Sequence, residues 1–172
     1  LVRRYPVTVV MLASIRAELD LTDPDDVIRW AALCLAFFFL LRGGEYLAHD
    51  GTGFDTPKAV RGADIAFWLE GQITRDQHAA EEMSLLINSA KADIYNAGTS
   101  RNHFRSGDDI CVVGALARMK DFFPERFAEE ADQPLFRLQD GSPLSRSEIQ
   151  GLVQAAAEKQ GFDPSRYATH SL

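Results

Sequence analysis

Trp30-Ala31-Ala32-Leu33-Cys34-Leu35-Ala36-Phe37-Phe38-Phe39-Leu40-Leu41 runs straight into Arg42-Gly43-Gly44-Glu45. An almost wholly apolar run of this length reads as a buried helix. The guanidinium after it is always charged, and its planar fork suits a carboxylate or a phosphate. The stretch therefore predicts a core helix that reaches about Leu41 and carries a rigidly mounted anion-binding group at its end. Upstream, Thr22-Asp23-Pro24-Asp25-Asp26 supplies the helix start: a capping side chain, a proline in the first turn and acids at the positive dipole end. Gly43-Gly44 ends or re-aims the helix. If it continued, Arg42 and Glu45, three apart, would share one face.

The 172 residues correspond to one domain, and a hydrophobic fraction of 46% supplies a core. A net charge of -7, from 18 basic and 25 acidic residues, argues against bulk non-specific nucleic-acid binding. A local basic groove remains open. Cys34 and Cys111 lie in apolar helical patterns and read as reduced core thiols of an intracellular protein, not as a disulfide or a metal pair. The run ending at Leu41 is shorter than the ~18–20 residues of a membrane span, and Arg29 and Arg42 bracket it. The sequence reads as a fragment, so the absence of a targeting signal carries little weight.

Along the chain, Val10, Leu12, Ile15 and Leu19 predict a helix between Val7 and Leu19. His49 to Pro57 predicts a loop. The period then changes. Ala63–Leu69 and Met83–Asn88 predict two strands, and Asn102–Arg105 a weaker third, with Lys91 near the tip of the second hairpin. Val112, Leu116, Met119 and Phe123 predict a helix ended by Pro124, with an acidic surface stretch after it from Glu125 to Asp132. Ser145 or Ser147 caps another helix, which Gly161 ends. Asp163-Pro164-Ser165 begins a last helical stretch containing His170.

Arg42, Glu45, Lys91 and His170 are the residues that could carry chemistry. Singly, each has an ordinary explanation: a complement to a helix C-terminus, a solvated hairpin lysine, a partly buried histidine. Their order says more. Leu40-Leu41-Arg42-Gly43-Gly44-Glu45 resembles the first catalytic-arginine motif of the tyrosine recombinases, or phage-type integrases, in which an apolar helix ends in Leu-Arg with an acid three residues later. Asp64-Ile65 is similar to the start of that family's first strand. Ser89-Ala90-Lys91-Ala92-Asp93 is similar to its lysine hairpin, usually Ser/Thr-Lys-Thr, from which Ala90 and Ala92 depart. Cys111-Val112-Val113-Gly114-Ala115-Leu116 resembles its Cys-Pro-Val-x-x-Leu helix without the proline. Pro134-Leu135-Phe136, Asp140-Gly141-Ser142-Pro143-Leu144, Gly161-Phe162 and Thr169-His170-Ser171-Leu172 come next, in family order.

The resemblance implies an α+β, mainly α, catalytic domain with a small three-stranded antiparallel sheet, of the DNA breaking-rejoining type. It implies DNA strand transfer through a 3′-phosphotyrosyl intermediate. Arg42 would clamp the scissile phosphate, Lys91 would protonate the leaving 5′-oxygen, and His170 would hydrogen-bond the phosphate. Glu45 would orient Arg42 or His170. Lys58, Arg61, Arg101 and Arg105 would join Arg42 and Lys91 on a DNA-facing surface, with the Glu125–Asp132 acids elsewhere. The implied partner is double-stranded DNA, with self-association on it and no membrane; in a eukaryote the location would be nuclear. No cofactor is implied: His49, His78 and His103 are scattered, and no Gly-x-x-x-x-Gly-Lys-Ser/Thr loop is present.

The family pattern continues His-x-x-Arg, with its nucleophilic tyrosine on a later helix. The sequence stops one residue before that arginine would stand, and Tyr5, Tyr46, Tyr95 and Tyr167 do not occupy the nucleophile position. A piece ending there is not expected to cleave DNA alone. Three readings are open: a truncated recombinase core, a non-catalytic DNA-binding or scaffolding remnant of a mobile-element recombinase, and an unrelated helical interaction module.

Overall fold

The apolar run forms α2, Pro24–Phe39, in a computed structural model that describes residues 3–49, 51–54, 58–87 and 98–172. Asp23 caps the helix by accepting from the Asp25 N–H at 3.2 Å, and Pro24 sits where no donor is needed. Every residue from Val27 to Ala36 except Arg29 is buried. Arg29 is half-buried and paired, with Asp26 at 2.9 Å and Glu148 at 3.3 Å.

The helix stops at Phe39, two residues short of its expected end, because Leu40 turns left-handed at φ 56°. That conformation costs a non-glycine residue about 1–2 kcal/mol. Two gains offset the cost. Leu41 N–H bonds back to Ala36 C=O at 3.0 Å, closing a Schellman-type cap, and the Leu41 side chain enters the core. Arg42 therefore does not ride on the core helix. It is the N-cap residue of a separate short helix, α3, Gly43–Tyr46.

Two further helix pairs complete the α layer. α1, Val9–Glu18, is capped by Thr8 and packs on α5, Arg146–Lys159. Of the two candidate serines, Ser145 caps α5, with Glu148 closing a capping box. α4, Val112–Phe122, packs on α2 and begins on Cys111, whose Sγ accepts from the Gly114 and Ser106 N–H groups. Burial works against the Cys111 thiolate, yet these donors hold the thiol below its ordinary pKa. Cys34 and Cys111 are both buried and free.

The fold class is α+β and mainly α, but the sheet has four antiparallel strands among the described residues, not three, in the order β2-β1-β3-β4. These are β1 (Ile65–Leu69), β2 (Gln72–Ile73), β3 (Glu82–Ile87) and β4 (Thr99–Phe104). β2 is two residues long, too short for any alternation to announce it. It is folded back by Glu70-Gly71, whose φ angles of 50° and 77° make the tight hairpin turn. β1 starts later than Ala63 because Gly62–Asp64 forms a 3-10 turn, Asp64 accepting from Arg61 N–H at 2.9 Å. β3 buries Met83, Leu85 and Ile87 on one face. On the other, Ser84 is tied to Trp68 Nε1 at 2.8 Å. β4 is the polar outer strand, which protects the sheet edge from further pairing.

The acidic stretch after α4 is only partly surface. Pro124–Phe127 is a 3-10 turn, and its Arg126 is 5% exposed. The guanidinium donates to the carbonyls of Leu135 (3.4 Å), Leu138 (3.0 Å) and Arg137, and lies 4.1 Å over the Phe123 ring. It holds the 134–138 loop onto the end of α4. Arg126→Met keeps the apolar volume but strips three carbonyls of a charged donor. The expected loss is about 2–3 kcal/mol, read as a lower urea midpoint at unchanged m-value.

Three loops share one device. Asp20, Asp140 and Asp163 each accept from both the backbone N–H and the hydroxyl of the residue two ahead: Thr22, Ser142 and Ser165. The hydroxyl bond first, and the N–H bond second, hold all three carboxyls below the usual aspartate range. Their contribution to stability is therefore complete above the unfolded aspartate pKa of about 3.9. It disappears as pH falls through the lower folded values. Thermal midpoints should fall below pH 4, and less so in a triple Asp→Asn variant.

The two ends of the described chain meet: Tyr5 N–H donates to Arg166 C=O at 2.9 Å and Val7 N–H to Ser171 C=O at 2.6 Å. Among the described residues, no helix is long and apolar enough to cross a membrane.

Candidate functional site

α3 is built into a frame of single backbone bonds. Val60 N–H donates to Glu45 C=O (2.8 Å), Leu135 N–H to Val60 C=O (2.9 Å) and Leu144 N–H to Phe136 C=O (2.9 Å). Ala48 N–H then donates to Leu144 C=O (2.9 Å), and Arg146 N–H back to Ala48 C=O (3.1 Å). The circuit joins α3 to the start of α5, although α3 is too short to be stable alone. Tyr46, buried against Phe136 with ring centroids 6.3 Å apart, anchors it from below.

Arg42 enters this frame exposed, with φ -82° and ψ 151°. Glu45 Oε2 accepts from its backbone N–H at 2.6 Å. The acid thus fixes the Arg42 backbone, by capping, where the sequence suggested that it would orient the side chain. The Arg42 guanidinium makes no hydrogen bond or ion pair with the described residues.

His170 arrives from the other end of the chain. Thr169–Ser171 is a 3-10 turn, not part of a longer helix. Ala168 N–H bonds to Ser171 Oγ (3.1 Å), and Gln154 of α5 holds Tyr167 C=O (3.1 Å). Thr169 is buried and His170 exposed. This turn lies against α3: a Cβ built on Gly43 would stand 3.2 Å from Thr169 Oγ1. Gly43 and Thr169 are the chain neighbours of Arg42 and His170. Arg42 and His170, both exposed, thus flank the place where the 169–171 turn approaches α3.

The remaining candidates divide. Arg101, on β4, donates to Phe39 C=O at 3.1 Å, which places it at the end of α2, close to Arg42. Lys58 is exposed in a turn. Arg61 is half-buried, bridged to Pro134 beside the acidic loop, with its Nε buried and unpartnered. Arg105 is spent as a clasp: its Nε donates to Ala80 C=O (2.7 Å) and its Nη2 to Gln77 C=O (2.8 Å). Ala63 N–H bonds to Ala131 C=O at 2.9 Å, so the acidic loop sits directly beside the Arg61–Ala63 segment. Lys91 and its hairpin tip lie outside the described residues. Among those described, no group of three His, Cys, Asp or Glu residues is arranged to hold a metal.

Sequence reasoning missed Arg146. A cation at the first position of a helix faces the positive end of the dipole, which is the wrong end for it. That was the available signal. Compared with family models, curated proteins and solved structures, the chain finds no match.

Proposed function

We propose that this chain is the core of a tyrosine-type DNA recombinase, which binds duplex DNA and offers Arg42 and His170 to a backbone phosphate. The observation that supports the reading is the close approach of Gly43 to the Thr169 side chain, with Arg42 and His170, both exposed, as the chain neighbours of those two residues. Arg42 supplies a bidentate fork for two phosphoryl oxygens, and His170 supplies a hydrogen bond and a proton route. Arg101 adds positive charge at the same end of α2. Lys91 acts in this reading as the acid for the leaving 5′-oxygen.

The test is fluorescence anisotropy with a labelled duplex over a salt series. Binding should weaken linearly in log K against log salt, since each neutralised phosphate contributes a slope of about -0.9. Arg42→Ala should flatten the slope by about one. A chain with no DNA affinity at low salt, or with affinity indifferent to salt, overturns the proposal and favours a helical interaction module.

A further inference from the structure

Arg146 is a cation that the fold positions and does not pair. Its guanidinium lies along the Gly43–Gly44 backbone: Cβ atoms built there would sit 3.3 Å from its Nε and 3.2 Å from its Nη2. Those are tight approaches, and a methyl at either position would fit only by displacing the guanidinium a few tenths of an ångström. The Nε is buried with no hydrogen-bond partner, and no carboxylate pairs with the group among the described residues. The two acids nearest in the frame are committed elsewhere. Glu45 caps α3 through Arg42 N–H, and Glu148 serves Ser145 and Arg29.

An unpaired, half-sheltered guanidinium is costly, and its place at the first position of α5 adds to the cost. Arg29 and Arg137, similarly half-buried, both have acids: Asp26 with Glu148, and Glu130. A second orphan lies in the same place. The hydroxyl of Tyr46, a residue only 1% exposed, has no partner among the described residues. Burial pushes that phenol's pKa up, and the Arg146 charge is close enough to pull against it. Two unmatched donors beside the Arg42 and His170 segments call for an acceptor that the described residues do not supply.

We infer that Arg146 is a second phosphate ligand, gripping across the Gly43–Gly44 shelf the same phosphodiester that Arg42 grips from the exposed side. This rests on the proposed DNA-binding function and names a further residue of that site. Two guanidinium forks on one phosphate share its oxygens and spread its charge. Gly43 and Gly44 then let the second fork lie flat without displacement.

The experiment uses the 172-residue chain and two readouts: anisotropy with labelled duplex, and the thermal midpoint with and without inorganic phosphate. Arg146→Gln should weaken DNA binding about tenfold and flatten the salt slope by about one. Arg146→Lys should recover little, since a point charge lacks the fork. Gly44→Ala, whose methyl would press only on the guanidinium tip, should weaken binding in the same direction and by less. Inorganic phosphate should raise the wild-type midpoint and leave that of Arg146→Gln unmoved. Wild-type DNA affinity and slope in Arg146→Gln, alongside a loss in Arg42→Ala, would overturn the role of Arg146 and leave the DNA-binding function standing. Phosphate stabilisation that depends on Arg146 in a chain that binds no DNA would support the anion site and sink the recombinase reading. A phosphate response identical in wild type and Arg146→Gln would dispose of the site.

Discussion

Gly62→Ala should sharply lower the stability of the protein, read as a large drop in its urea midpoint. A Cβ on Gly62 would stand 1.9 Å from the Arg126 carbonyl oxygen and 2.9 Å from its carbon, where no two such atoms can coexist. The obstacle is backbone, and that backbone is pinned by the Arg126 guanidinium and by Ala63 N–H on Ala131 C=O. Relief requires moving the 3-10 turn after α4 away from the start of β1. Overpacking of this kind costs about 3 kcal/mol or more, a large share of the roughly 5–15 kcal/mol that holds a domain together. Gly151→Ala is the control: it lies on the exposed face of α5 with nothing within 4 Å, and should stabilise by about 0.5–1 kcal/mol. Urea melts of the two variants should move in opposite directions. A Gly62→Ala midpoint within experimental error of wild type would mean that the two turns do not meet as described.

Arg42→Ala should reduce DNA cleavage by two to three orders of magnitude in a chain continued through the recombinase family's second arginine and tyrosine. A donor placed on developing phosphoryl charge is worth about 3–4 kcal/mol, and the Glu45 cap and the backbone frame around α3 fix the backbone from which Arg42 reaches out. Arg42→Lys should rescue little. The measurement is covalent adduct on a suicide duplex, resolved under denaturing conditions. The 172-residue chain itself should give none. An adduct from that chain would refute its being catalytically incomplete, whereas an extended chain whose adduct yield ignores Arg42→Ala would end the recombinase assignment.

How far the sequence reveals this fold depends on how local each cause is. The start of α2 was legible because Thr22 to Asp26 carry capping, proline and dipole signals within one turn. The end of α2 was not, because leucine is a poor left-handed residue and Leu40 adopts that conformation only for the sake of burying Leu41. β1 and β3 announced themselves by short runs of strand-favouring apolar residues and the polar β4 only weakly, whereas β2 has two residues and exists through its turn. Arg126 hid in an acidic stretch because its partners are carbonyls, which every sequence has. Within the site, Arg42, Glu45 and His170 could be named from residue type and order. The capping role of Glu45 and the nearness of Arg146 depend on contacts between segments far apart in the chain.

The closure of residues 5–7 on residues 166–171 also acts in time. A ribosome delivers the chain from one end at about 5–20 residues per second, so α1 and the segment before it wait on the order of ten seconds for the segment they bind. Throughout that interval Arg42 is already made, but Thr169 and His170 are not, and the turn that packs against Gly43 does not exist. Assembly of the site is thus a late event of synthesis. A nascent chain, or one released before Thr169 is added, lacks the closure of its two ends and the packing of the 169–171 turn against α3.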